Sequence, residues 1–210
     1  MRGTLSDIPQ GQRQGKQVYN FSGLEGKRVK LIPLQKEHSI PLYNCSRDPE
    51  IWSNYPIHIR SIDEMERFVQ KALEGREKRD QYPFAILDKE TNEIVGTTRF
   101  LRISEESNNL NIGSTWYSPK VWRTRVNTET KYLMLKYAFE VLNVVRVEII
   151  TTTNNIRSQK AIERLGAIKE GILRKKYHNM DYVIYSIISD EWEDVKDRLE
   201  GYLEDEGYVR

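Results

Sequence analysis

The sixteen residues from Thr151 to Gly166, TTTNNIRSQKAIERLG, narrow the fold more than any other stretch of this chain. They read as a strand end, a polar turn, a short amphipathic helix and a glycine stop. Ser158, Ala161, Ile162 and Leu165 recur at helical spacing, which gives the helix one inward stripe. Asn154 or Asn155 can cap its first turn, and Gly166 suits the left-handed position that ends a helix. A strand running into a helix through polar residues places those side chains off the sheet edge, where α/β folds bind ligands.

The rest of the chain supports one soluble domain. A length of 210 residues suits one well-buried domain with appendages. The net charge of +2 makes no global demand for nucleic acid or membrane as a partner. Cys45 is the only cysteine, which rules out an intrachain disulfide or a cysteine-rich zinc site and fits a reducing cytoplasm. No apolar run reaches the roughly 18 residues of a membrane span, and the first residues lack the apolar segment of a secretory signal. The expected location is cytoplasmic. No metal-ligand spacing, P-loop or Ser/His/Asp order is present.

Residues 1–22, rich in Gly, Gln, Arg and Ser without apolar period, read as a flexible tail. Residues 23–210 read as one domain. Alternation at Val29, Leu31 and Pro33 predicts a first strand, followed by a short helix over 37–44. An aromatic loop over 45–60 carries Trp52, Tyr55 and His58. A longer helix spans 61–79, with Ser61 and Glu64 as a capping box. Strands are predicted over 82–87, 94–103 and 110–116, then a helix over 127–142 with Leu135, Ala138, Phe139 and Leu142 on one face. A strand over 146–151 leads into the opening segment. An antiparallel pair over 168–177 and 182–188 and a last helix to Leu203 complete the chain. This order gives a mixed, partly antiparallel α+β sheet.

The turn Trp122-Arg-Thr-Arg-Val-Asn-Thr-Glu129 leads from a strand into a helix. A helix N-terminus offers free N–H groups and a positive dipole end, which suit a pyrophosphate. Together with Gly96, Gly113, Trp116, Asn155, Ser158, Leu165-Gly166 and Glu170-Gly171, this segment resembles the GNAT superfamily of N-acetyltransferases. The closest likeness is to the branch of ribosomal-protein alanine N-acetyltransferases, and it covers roughly residues 26–188. The resemblance implies the GNAT fold, an α+β arrangement whose mixed, mostly antiparallel central sheet is flanked by helices in three layers. It also implies acetyl-CoA as cosubstrate, an amine acceptor as partner and direct transfer in a ternary complex. A second copy of the chain is a further candidate partner. It implies cofactor contacts for Trp116, Arg123, Thr124, Arg125, Val126, Asn127, Thr128, Asn155 and Ser158.

The family's loop pattern, Q/R-x-x-G-x-G/A, is replaced here by Trp122, Arg125 and Asn127. Without glycine the loop is expected to keep a conventional φ, and the two arginines to add charge-assisted donors for a polyanion. By resemblance, Ser158 would protonate the leaving thiolate. An attacking amine must first lose a proton. Where many relatives have glutamate in the fourth strand, this chain has Asn111. Tyr177, His178 and Glu148 remain as candidates, while Trp52, Tyr55, Trp116, Tyr117 and Tyr177 could wall an acceptor pocket. A competing reading is a non-catalytic CoA-binding module, favoured by Asn111 and the substituted glycines.

Overall fold

A computed structural model describes residues 22–205. The expected tail over 1–22 lies almost wholly outside the described residues. Eight strands form one sheet in the order β1-β2-β3-β4-β5-β6-β8-β7. They are β1 (Leu24–Glu25), β2 (Val29–Pro33), β3 (Gln81–Asp88), β4 (Glu93–Ser104), β5 (Asn109–Tyr117), β6 (Arg146–Thr152), β7 (Ile168–Tyr177) and β8 (Met180–Ile188). Every neighbouring pair is antiparallel except β5 and β6. The helices are α1 (Ser39–Cys45), α2 (Ile62–Glu77), α3 (Val126–Lys136), α4 (Ile156–Leu165) and α5 (Trp192–Glu204).

Two cores result, one on each face of the sheet. On one face Val29, Leu31, Phe84, Ile86, Leu110, Ile112, Val147 and Ile149 pack with Met134, Leu135, Ile162, Leu165, Val195 and Leu199 of α3, α4 and α5. On the other, Leu34, Ala85 and Trp116 meet Leu42 of α1, Met65 and Val69 of α2, and Ile51 and Trp52 of the aromatic loop. Strand alternation sends successive side chains to opposite layers, which fixes three layers from two amphipathic helix sets.

Several local expectations change in detail. The helix predicted over 127–142 breaks after Lys136 into a π turn over Tyr137–Val141, closed by a 3.0 Å bond from the Leu142 N–H to the Tyr137 carbonyl. The wider turn still keeps Leu135, Ala138, Phe139 and Leu142 buried, with Phe139 stacked on Trp192 at 5.3 Å. Ser61 caps α2 by accepting from the Glu64 N–H, but the Glu64 carboxylate accepts from Arg60 rather than from the cap residue. The aromatic loop contains a 3-10 turn at Pro49–Trp52. Strand β1 carries too few residues for its period to be read from sequence.

Candidate active site

The parallel pair β5 and β6 touches only through Asn109–Arg146, Leu110–Val147 and Asn111–Glu148. Beyond that point β5 stays with β4 as far as Tyr117, while β6 stays with β8 as far as Thr152. The sheet therefore splits into two wings, and the facing backbone edges of 112–117 and 149–152 lack strand partners. A register irregularity between Thr97 and Arg99, with Ser114 held at φ 47°, increases the local twist of β5 where the split opens. Opposite the end of β5, a Cβ at Gly96 would collide with the Trp116 carbonyl oxygen, so glycine lets the two strands close there.

Both strands run into helices at this open end. After β6, Asn155 caps α4 by accepting the Ser158 N–H at 3.0 Å, and Gly166 closes the helix at φ 103°. Asn155 therefore holds the cap with its amide oxygen, leaving its amide nitrogen without a hydrogen bond among the described residues. Ser158 is half-buried, and its hydroxyl has no hydrogen-bond partner among the described residues.

The corner from β5 into α3 is built differently. Arg125, the residue before α3, makes no side-chain cap. Asn127 and Thr128 lie in the first turn, where N–H groups have no intrahelical partner. The Val126 N–H instead meets the Thr124 hydroxyl at 3.3 Å. Arg123 takes φ 62°, so the expectation of a conventional φ throughout this loop is corrected. The left-handed turn survives without glycine, at a cost of roughly 1 kcal/mol. Arg123 is exposed, but Arg125 directs its guanidinium to the Leu203 and Asp205 carbonyls at the end of α5. The two predicted polyanion donors thus point to different tasks.

Contacts join the corners across the opening. Arg164 of α4 donates to the Thr128 hydroxyl at 2.9 Å, and the Arg157 guanidinium lies 4.0 Å from the centre of the Trp122 ring. Arg157 also pairs with Glu50 of the aromatic loop. A cavity of about 340 Å³ opens beside the end of β6, lined by Thr152, Thr153, Asn154, Lys175, Asn179, Met180 and Asp181.

The face carrying α1 and α2 collects most remaining candidates. Tyr177 packs edge-on against Tyr182 at 5.3 Å and stacks under the Arg102 guanidinium. His178 is exposed in the β7–β8 turn at φ 49°. Glu148 sits at the fork of the split and accepts from the Arg146 Nε at 3.0 Å. Arg146 also binds Glu170, which holds the Glu170 carboxyl down at about 2, with help from Ser186. Asn111 is buried beside the fork. Trp116 packs at a tilt of 55° against Trp52, whose ring also meets Tyr55 and His58, so the predicted aromatic wall forms in part. Tyr117 departs from it: burial raises its phenol, and it packs against the core of the opposite face, where α3 lies.

Sequence reasoning missed four residues here. Glu129 is buried and accepts the N–H groups of Lys27, Arg28 and Val29, which moors α3 to the start of β2. Lys131 is buried under β5, donates to the Thr115 hydroxyl at 2.9 Å, and is pulled by burial down to about 7. Tyr182 is buried in the partner strand of β6. Arg99 is buried within β4, and the one signal for it was a charged residue inside the apolar run around Phe100.

Residues 28–168 match the family model described as an acetyltransferase (GNAT) domain. The chain belongs to the GNAT acetyltransferases. An uncharacterized N-acetyltransferase, YoaA of Bacillus subtilis (strain 168), is 24% identical over 173 residues, covering 80% of this chain and 97% of its own. A crystal structure of a GCN5-related N-acetyltransferase from Brucella melitensis is 26% identical with a TM-score of 0.81, covering 94% of this chain and 89% of its own. The ribosomal-protein-S5-alanine acetyltransferase of Vibrio fischeri shares the fold at a TM-score of 0.67 and 16% identity, over 81% of this chain and 98% of its own. As a GNAT protein, this chain is an N-acetyltransferase with the α+β fold expected of it. No helix among the described residues is long and apolar enough to cross a membrane.

Proposed function

We propose that this N-acetyltransferase moves the acetyl group of acetyl-CoA directly onto a primary amine, with both substrates bound together. The observation that carries the reading is the split between β5 and β6, which leaves backbone hydrogen-bonding groups open between two helix N-termini. Such an edge suits the amides of a pantetheine arm, much as a strand edge takes an extended peptide. The N–H groups of Asn127 and Thr128, at the positive end of the α3 dipole, suit the pyrophosphate. The exposed Arg123 can add charge from outside the loop. Thr124 and Val126 serve the turn itself. The acetyl end of the arm lies toward Trp116, Asn155 and Ser158.

In the reaction the amine nitrogen attacks the thioester carbonyl carbon, the carbon–sulfur bond breaks, and amide and thiol result. One proton leaves the amine and one reaches the sulfur. The Ser158 hydroxyl, unpartnered beside the opening, is placed to give its proton to the thiolate and regain one from solvent. Among the candidates for the amine proton, Glu148 has the placement Asn111 cannot use, a carboxylate at the fork. Tyr177 flanks the same face, and His178 is available only at its rim. The free β7 edge, with exposed Ile168 and Ile172, is where a second copy of the chain would add to the sheet.

The test is a thermal-shift titration with acetyl-CoA, CoA and ATP, followed by release of CoA with a panel of amines. Ligands that bind only the native state raise its stability. Stabilisation by both CoA forms but not ATP, and Ser158→Ala with kcat about a hundredfold lower at unchanged acetyl-CoA affinity, are the expected results. No stabilisation by acetyl-CoA at millimolar concentration would end this reading.

A further inference from the structure

Arg99 is 6% exposed, and no carboxylate among the described residues pairs with it. Its Nη1 donates to the Gln81 side chain at 3.1 Å, and its guanidinium stacks on Phe68 of α2 at 4.9 Å. Its Nε and Nη2 have no hydrogen-bond partner among the described residues. A buried cation without a counter-charge is costly, and it persists in a fold when something else makes use of it. Burial lowers the Arg99 guanidinium from its ordinary value, as desolvation of an unpaired cation must.

Two further buried donors near Arg99 are also unmatched. The Trp116 indole N–H has no partner among the described residues, and the Tyr55 hydroxyl reaches toward Ser114 without closing a bond of normal geometry. Tyr55 lies within electrostatic reach of both Arg99 and Tyr182, and it joins Trp116 through Trp52, with ring centres 5.6 and 5.5 Å apart. Arg99 stands opposite Gly113 and Trp116 opposite Thr97, so the group surrounds the irregularity in β5 where the split opens. The Arg99 and Trp116 N–H groups can only donate and the Tyr55 hydroxyl can donate too, which calls for a ligand rich in acceptors. The free pair on Arg99, Nε and Nη2, is one edge of the guanidinium fork, spaced for two oxygens of one planar group.

We infer that the acceptor is a small amine bearing a carboxylate, and that Arg99 holds this carboxylate through Nε and Nη2, with Tyr55 and Trp116 as flanking donors. The inference rests on the acetyl-transfer reading of the same site. Because Arg99 is enclosed, the carboxylate is the inner end of the acceptor and the amine the outer one. Arg99 sits on β4, one strand from the open edge of β5, a spacing of about 4.8 Å. A spacer between amine and carboxylate is therefore required, which favours an ω-amino acid over glycine.

The experiment compares ω-amino acids of two to six carbons with their amides and with aminoalkyl phosphates, scored by CoA release from acetyl-CoA. The same compounds are tested by thermal shift in the presence of CoA. The best amino acid should exceed its amide in kcat/KM by about a hundredfold. Arg99→Met should bring that ratio to within about threefold, and Arg99→Lys should keep an intermediate ratio. Without acceptor, Arg99→Met should melt higher than the parent, because it removes a buried unpaired charge. Should Arg99→Met fail to fold, the acid-to-amide ratio of Arg99→Lys decides the question. Equal rates for acids and amides, or a preference for phosphates, would overturn the carboxylate assignment while leaving acetyl transfer intact. Acids that stabilise the parent but not Arg99→Met, with no CoA released from any amine, would instead sink acetyl transfer and keep the anion site. The absence of both CoA release and carboxylate-dependent stabilisation would overturn the inference.

Discussion

The two strand-to-helix corners at the opening do similar work by different means. The corner from β6 to α4 is held by neighbours in sequence: Asn155 caps the helix by accepting the Ser158 N–H, and Gly166 ends it after Leu165. The corner from β5 to α3 has no local cap, and Arg123 sits in a left-handed conformation. Its support comes from far along the chain. Glu129 gathers three N–H groups about a hundred residues away, and Arg125 reaches the end of α5. A locally closed corner forms with its helix. A corner moored by tertiary contacts leaves the N–H groups of Asn127 and Thr128 open, but depends on the whole fold.

The largest expected effect comes from cutting that mooring. Glu129→Ala leaves the N–H groups of Lys27, Arg28 and Val29 without their acceptor and should destabilise the protein by about 3 kcal/mol in urea unfolding. A loss below about 1 kcal/mol would mean that the α3 corner is locally supported after all.

Lys131, in the same helix, should reveal itself through pH. Its folded value of about 7 lies far below the unfolded value of about 10.4, so the unfolded chain binds the extra proton between them. Stability should therefore rise with pH from about 7, by about 1.4 kcal/mol per unit. Above about 8.5 the half-buried Cys45 thiol, pushed up by desolvation to about 12, works the other way, because the unfolded chain then loses a proton that the folded one keeps. Lys131→Met should flatten the rise between pH 7 and 8.5; a parallel curve in the variant would rule out the assignment.

At the local corner, Asn155→Ala should cost about 1 kcal/mol as a lost cap. If its free amide nitrogen also serves the cofactor, the acetyl-CoA dissociation constant measured by calorimetry should rise about tenfold. Stability loss with unchanged affinity would leave Asn155 as a cap alone. Arg123→Gly should have the smallest effect. Relief of the left-handed strain is offset by greater freedom of the unfolded chain, giving a net change within about 0.5 kcal/mol. A loss beyond 1 kcal/mol would show that the Arg123 side chain anchors the loop.

The same contrast explains which features were legible in advance. The α4 unit, the capping of α2 by Ser61 and the order of strands rest on spacing and cap chemistry within a few residues, and each appears close to its expected place. The π turn after Lys136 was hidden, because a fivefold turn leaves the apolar positions on the same side. The task of Arg125 was hidden as well, since its acceptors lie some eighty residues away. Glu148 carried a hint of its role, but only the register with Asn111 puts it at the fork.

The chain's own periodicity and punctuation determined the elements, their order and the two faces of the sheet, because those depend on short-range sterics and on burying one stripe of each element. Only the tertiary structure decided where the sheet splits, which residue moors α3 and which buried donors are left unmatched around Arg99. Those outcomes depend on pairing and desolvation between residues distant in sequence, and a buried charge without a partner can be identified only when everything packed around it is in place.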